Sequence, residues 1–441
     1  MNTPNWVCEW IDNHSSEIWD LSLKIWQYAE LSGQEQNSSR ALCEALKHYG
    51  FSVQENLAGI QTAFSARYGE GEPTIGFLGE YDALESLSQK AGSCVCETTP
   101  ETTSGHGCGH NLLGCGSLAA AVAVKEYMES AGIPGSVVYY GCPSEEQGCG
   151  KMHMMEGGCF RELDAALTWH PMDRNEVDGT SSLASLCMEF NFEGKSAHAA
   201  FCPEQGRSAL HAVELMNIAV NFMREHVISD ARIHYAIRES GGTATNVIQS
   251  KASVIYEVRA PKEEQIQEIS ERIIKAARGA ALMTETEMNF SYGDHYMNFI
   301  SNDTINRVAW ENLKAVGSPD FTKDEIGLAA SLYKTCHAKG ETADPIDRTI
   351  LPYQGLNGCL PVSTDVGNVS HIVPTIQLYT ACCAKGTPNH SWQMVSQAGS
   401  SIGKKGMLTA SKVLALTALE LLENPEVLRS AKAEHVKTVG C

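Results

Sequence analysis

Within six residues, "GHGCGH" at 105–110, the chain places two histidines and a thiol one glycine apart. His106, Cys108 and His110 are side chains of the kind that bind metal ions, and glycine allows the tight turn and close backbone approach of a compact site. Read alone, the stretch could equally be a flexible loop carrying chance histidines. "CPSEEQGCG" adds Glu145 and Glu146, side by side on a loop flanked by proline and glycine. Neighbouring carboxylates on a loop are ordinarily just solvated. Beside a metal, one can bind the ion while the other holds and deprotonates water. His170 in "ALTWHP" and His390 in "GTPNHSWQ" contribute two more imidazoles. Two divalent ions need about five protein ligands plus a bridging water. Cys108, His110, Glu145, Glu146, His170 and His390 can supply them.

These groups must be held by elements far apart in the chain. "SSEIWDLSLKIWQYAE" spaces Ile18, Leu21, Ile25 and Tyr28 as a helix does. "PTIGFLGEYDAL", "GSVVYYGCPSEEQGCG" and "LDAALTWHP" each read as a short apolar strand running into polar residues. "NLLGCGSLAAAVAVKEYMESAG" reads as a helix that starts just after the glycine–histidine motif and ends at Gly132. Alternating strands and helices imply a mostly parallel sheet flanked by helices, with ligands bound beyond the carboxyl ends of its strands. Asp82, Glu145, Glu146 and His170 all fall at such ends.

The texture changes near residue 185. "SLCMEFNFEG" alternates like a half-exposed strand, and "GRSALHAVELMNIAVNFMREHV" is an amphipathic helix. "TNVIQSKASVIYEVRAP" reads as strand, turn and strand. A helix with Pro261 at its start follows, and "EMNFSYGDHY" makes a last strand. The expected architecture is α/β: a catalytic domain built from 1–184 and 297–441, interrupted at 185–296 by a smaller α+β, ferredoxin-like domain. The stretch 339–362 is loop-rich.

The formal net charge of −20, from 53 acidic and 33 basic residues, argues against a nucleic-acid or anionic-membrane partner. No apolar run approaches the roughly 18 residues of a membrane span. The first residues lack the basic and apolar regions of a secretory signal, so the expected location is cytoplasmic and the 16 cysteines read as reduced thiols.

Taken in order, "GEYDAL", "GHGCGHNLLG", "CPSEEQGCGK", "ALTWHP", "GKSAHAA", "GRSAL", "TNVIQSKASVIYEVRAP", "STDVGNVS" and "GTPNHSWQ" resemble the M20 metallopeptidase and amidohydrolase family, in its D branch. The resemblance runs from about residue 20 to 415. It implies two divalent ions, Mn²⁺ or Zn²⁺, with Cys108 in place of the bridging carboxylate of other branches. His110 and His170 would complete one site, Glu146 and His390 the other. Glu145 would be the general base, with Asp82 orienting a ligand from behind and His106 behind the ligands or in packing.

In the inserted lid or dimerisation domain, His198 resembles the residue that polarises the scissile carbonyl, often across a dimer interface. Asn246 and Arg259 resemble residues that hold the substrate carboxylate. The implied reaction is hydrolysis of an N-acyl or N-aroyl amino acid such as p-aminobenzoyl-glutamate, or of a β-alanyl or other small dipeptide. The implied assembly is a homodimer or a heterodimer with a related chain. Two features depart from the pattern: His371, where relatives often carry Trp, and the "SEEQGCG" loop.

Two other readings compete. One is a thiol hydrolase with Cys108 as nucleophile and His110 as base, which leaves the paired glutamates unexplained. The other is a noncatalytic partner subunit or binding protein, for which a free base such as Glu145 has no use. "GCGKM" lacks the glycine spacing of a phosphate-binding loop, so Lys151 receives no role.

Overall fold

The computed structural model describes residues 3–336 and 344–440. Along the chain its strands are β1 (Ser52–Glu55), β2 (Phe64–Glu70), β3 (Thr74–Gly79), β4 (Gly135–Gly141), β5 (Ala165–Met172), β6 (Glu176–Val177), β7 (Ser181–Ser182), β8 (Ala184–Glu193), β9 (Arg232–Glu239), β10 (Lys251–Ala260), β11 (Glu287–Tyr296), β12 (Cys359–Leu360) and β13 (Thr375–Ala381). They belong to two compact units. The first takes the chain up to Thr180, then Ile300–Gly358, and continues from Asn368. The second is Ser181–Phe299 with Cys359–Gly367.

The first unit holds a seven-stranded sheet ordered β1-β2-β4-β3-β5-β13-β6. The four central strands, β4, β3, β5 and β13, run parallel, and the edge strands pair antiparallel. β3 and β4 are buried along their whole length, as strands covered on both faces must be. The expected α/β sheet is therefore present, with an additional β1–β2 hairpin on one edge. The helix His110–Ala131 packs on β3, β4 and β5 and on the helix Ser401–Glu423. It is covered on nearly every side, so its sequence is apolar all round rather than along one stripe. Gly116 makes that approach possible, because a Cβ there would lie 2.7 Å from the Trp169 ring. Helix Ser15–Tyr28 buries Ile18 and Ile25 and leaves Tyr28 exposed at its end. Among the described residues no helix is long and apolar enough to cross a membrane.

The second unit runs strand–helix–strand–strand–helix–strand, with helices Ala209–Met223 and Glu263–Thr284. Its antiparallel sheet is ordered β11-β8-β10-β9, the ferredoxin-like arrangement. Three details differ from the sequence reading. "TNVIQS" forms no strand: Ala199 N–H donates to the Asn246 carbonyl and Ile248 N–H to that of Ala197, so this backbone is spent on a loop. The missing strand is β9, where among its residues only Ile233 is buried. The unit also extends beyond 185–296. β12 pairs in parallel with β7, and Leu183 N–H donates to the Val362 carbonyl, which draws Cys359–Gly367 into it. Of the 339–362 stretch, residues up to 343 lie outside the described ones.

Candidate metal centre

The parallel direction of β3, β4, β5 and β13 brings their carboxyl ends to one edge of the sheet, where an open α/β sheet binds ligands. Glu80 and Asp82 follow β3, Glu145 and Glu146 follow β4, His170 lies near the end of β5, and His390 follows β13. Cys108 and His110 face them from the start of the helix His110–Ala131. The glycines of the 105–110 motif have specific tasks here. Gly109 is left-handed, at φ +75°, and a Cβ on it would lie 2.8 Å from Met394 Cε and 3.1 Å from Pro171 Cβ. Gly107 accepts the close passage of Leu87 and of the His390 backbone, whose N–H donates to the Gly107 carbonyl. Gly109→Ala is expected to lose about 1–3 kcal/mol of stability through backbone strain and crowding. Urea unfolding checks this; an unchanged midpoint and slope would remove the argument for the turn.

The histidines are presented with a nitrogen lone pair toward one another's surroundings. His110 Nδ1 donates to Asp82 Oδ1 at 2.9 Å, which leaves Nε2 as the acceptor. His170 Nδ1 donates to the Pro171 carbonyl at 2.9 Å, and its Nε2 lies 3.3 Å from Cys108 Sγ. A hydrogen bond that fixes one ring nitrogen readies the other for a metal. His390 Nε2 is 3.3 Å from Glu146 Oε2.

Among the described residues, three groups of side chains offer ligand atoms within 4.8 Å of one another: Cys108, His110 and His170; Cys108, Glu146 and His390; and Glu80, His110 and Glu145. Cys108 belongs to two and His110 to two, so the groups form one continuous centre. Among the described residues, the buried atoms without a hydrogen bond include His110 Nε2 and Glu146 Oε1, which face each other at 4.0 Å. An imidazole lone pair and a carboxylate oxygen left without donors in a buried space are what a cation would satisfy. The donor set of thiolate, imidazole and carboxylate fits a divalent transition metal.

The electrostatics show how closely these groups are coupled. Burial works against charge on His110, but Cys108 and Asp82 outweigh it and hold the ring well above the usual imidazole range. Burial would raise Asp82, yet hydrogen bonds from His110, the Glu146 N–H and Ser32 hold it down at about 2. Burial pushes the Cys108 thiol up and His170 down to about 4. The thiol-hydrolase reading leaves unexplained why Glu145 and Glu146 converge on the same groups as Cys108 and His110.

Residues without a role in the sequence reading position the acidic loop. Ser144, left-handed at φ +58°, donates its N–H to buried Glu35 Oε1 at 2.8 Å. The Glu146 N–H is held by Asp82 Oδ2 at 2.9 Å. Two carboxylates thus grip the backbone on either side of Glu145. Glu80 borders the centre, with Oε2 3.2 Å from His110 Nε2, and its Oε1 meets buried Lys151 at 2.6 Å. Both lie inside the quoted motifs "GEYDAL" and "CPSEEQGCGK", but only the fold pairs them. His106 stands apart: it is buried, bonds the Ile25 carbonyl through Nε2, and belongs to none of the three groups.

In the second unit, His198 is exposed and its Nδ1 accepts the N–H groups of Ala200 and Phe201, each at 3.2 Å. The neutral ring therefore carries its proton on Nε2, as an outward donor. Asn246 lies in the loop paired with this segment. Arg259 extends from β10, where it pairs with Glu257 at 2.7 Å and donates to Ser363 Oγ. It lines a cavity of about 660 Å³ with Arg232, His234 and Asp230.

Residues 181–284 match a family model described as a peptidase dimerisation domain. One of the subunits of the p-aminobenzoyl-glutamate hydrolase of Escherichia coli (strain K12) is 40% identical over 438 residues, covering 94% of this chain and 91% of that protein. The chain belongs to the M20 metallopeptidase and amidohydrolase family. It is a hydrolase by that membership. Within the family it is also similar to the Xaa-Arg dipeptidase of Mus musculus, 30% identical over 443 residues, or 97% of this chain and 91% of that one. A Bacillus subtilis structure described as a dinuclear metal-binding M20 peptidase shares the fold. Its TM-score is 0.61 at 16% identity, over 93% of this chain and 99% of that one.

Proposed function

We propose that this protein is a two-metal amide hydrolase acting on N-acyl or N-aroyl amino acids, with p-aminobenzoyl-glutamate the first substrate to test. The observation that carries the reading is the 40% identity, over almost the whole chain, to the E. coli hydrolase named for that substrate. The converging side-chain groups support it. Cys108, His110 and His170 would hold one ion and Cys108, Glu146 and His390 the other, Mn²⁺ or Zn²⁺. Bound there, divalent ions supply Lewis acidity and bring the pKa of water toward about 7.

The remaining chemistry belongs to the chain. Glu145, held by its gripped loop, takes a proton from the attacking water and returns it to the leaving amine nitrogen. The water proton thus ends on the amine and the oxygen on the new carboxylate. His198 Nε2–H donates to the carbonyl oxygen as negative charge develops on it. Asn246 and Arg259 hold the substrate carboxylate, for which the planar guanidinium fork is suited. The match to a dimerisation domain supports assembly with a second copy or a related chain, and the E. coli relative is by name one subunit of its enzyme. A dipeptidase reading has its own support in the 30% identity to the mouse Xaa-Arg dipeptidase. A panel of p-aminobenzoyl-glutamate, other acyl amino acids and small dipeptides separates the two by kcat/KM.

Chelation is expected to abolish amide cleavage, and Mn²⁺ or Zn²⁺ to restore it. The release of free amine is the readout, with metal content followed by elemental analysis. Full activity in protein shown to be metal-free would end the mechanism.

A further inference from the structure

We propose that Lys151 acts as a positioning residue that holds one oxygen of Glu80 off the metal centre, keeping a coordination position open for water and substrate. The inference rests on the two-metal reading above.

Among the described residues, two lysines are buried. Lys125 still reaches Glu126 and Glu129 at 3.0 and 2.7 Å, and Glu129 is largely exposed. Lys151 is fully enclosed, and its Nζ lies 2.6 Å from Glu80 Oε1. An ammonium is tolerated in such a place only with a close counter-charge. Its placement is built into the backbone. Cys149 is left-handed at φ +47°, and Gly150 passes so close to the Pro143 carbonyl that a Cβ would lie 1.8 Å from its oxygen. That turn starts the helix Gly150–Glu156 beneath the acidic loop and aims its second residue, Lys151, at Glu80. Glu80 is pinned from the other side, where a Cβ on Gly114 would lie 2.6 Å from the Glu80 carbonyl oxygen.

Lys151 engages one oxygen of Glu80. The other, Oε2, lies 3.2 Å from His110 Nε2, the ring nitrogen whose lone pair faces the centre. Glu80 also shares a potential ligand group with His110 and Glu145. Released from Lys151, this carboxylate is free to turn both oxygens to the centre and close the ligand shell. A catalytic metal keeps one position open, whereas a closed ligand shell is the mark of a structural site.

The test is titration of Mn²⁺ into chelator-treated protein, with calorimetric readout, beside steady-state kinetics. Lys151→Met is expected to bind Mn²⁺ about tenfold more tightly, since a nearby positive charge is lost and a carboxylate is freed. Its kcat should fall while KM changes little. Lys151→Met combined with Glu80→Gln should return Mn²⁺ affinity to within about threefold of wild type, because it removes the freed carboxylate together with the ammonium. A lysine that merely fills space would give the opposite sign, with weaker metal binding and a lower Tm. Unchanged or weaker Mn²⁺ affinity in a natively folded Lys151→Met protein overturns the proposal. Should that variant not fold, the double variant decides: wild-type affinity supports the assignment, and lost metal binding overturns it by making Glu80 a ligand. Wild-type protein that binds no Mn²⁺ would instead remove the metal reading itself, so the two failures are distinguishable.

Discussion

Glu145→Gln is expected to lower kcat for amide hydrolysis by about 10²–10⁴-fold while the protein keeps its metal. The amide side chain fills the same space and retains an oxygen, but it cannot take a proton from water. Glu146→Gln should fail differently. Glu146 Oε2 lies 3.3 Å from His390 Nε2, and its Oε1 is one of the buried atoms that lacks a hydrogen-bond partner among the described residues. The His390 contact also helps hold the Glu146 carboxyl below its usual range against the effect of burial, so neutralising it disturbs both members of one ligand pair. Loss of metal should therefore come first, with activity partly recovered at high metal concentration. Metal content by elemental analysis, measured beside kcat, separates the neighbours. A Glu145→Gln enzyme that turns over at the wild-type rate would move the base elsewhere, and Glu80 would be the next carboxylate to examine.

What the sequence makes legible about this centre is what lies close together in the chain. Cys108 and His110 are two residues apart, Glu145 and Glu146 are adjacent, and each set ends or begins a strongly patterned element. The strand ends before Asp82 and at His170 follow from short apolar runs, because β3, β4 and most of β5 are buried on both faces. Glu80 and Lys151 are not legible in this way. Glu80 stands in a quoted motif, but a carboxylate at a strand end has no sequence mark that separates an ion pair from a ligand. Lys151 follows a glycine-rich loop, and nothing local indicates that the turn at Cys149 buries it. Glu35 is similar: its partners are Ser144 and Thr62, brought to it only by the fold. In the second unit, β9 escapes the sequence reading because an edge strand exposed along most of its length carries a thin apolar signal. "TNVIQS" suggests a strand because valine and isoleucine suit one, whereas here the neighbouring backbone pairs with the loop at 197–199.

His198 gives the remaining prediction with a large expected effect. Its Nδ1 is occupied by two backbone N–H groups, so the ring is fixed in orientation and its Nε2–H points outward as a donor. A preorganised donor to a developing oxyanion is worth about 10²–10³ in kcat. His198→Ala should lose that much with its metal content unchanged. The ring is exposed on a unit that matches a peptidase dimerisation domain, which makes a second chain a natural place for its target. We therefore expect a site built from Glu145 of one chain and His198 of another. His198→Ala and Glu145→Gln proteins, unfolded and refolded together, should regain activity that neither has alone. In a mixed dimer one of the two sites would combine an intact Glu145 with an intact His198. Mixed dimers demonstrated by tagging yet inactive would place His198 on its own chain's substrate or outside the reaction. Where the natural partner is a related but different chain, the same pairing is made across the two, with Glu145→Gln in one and the matching histidine removed from the other.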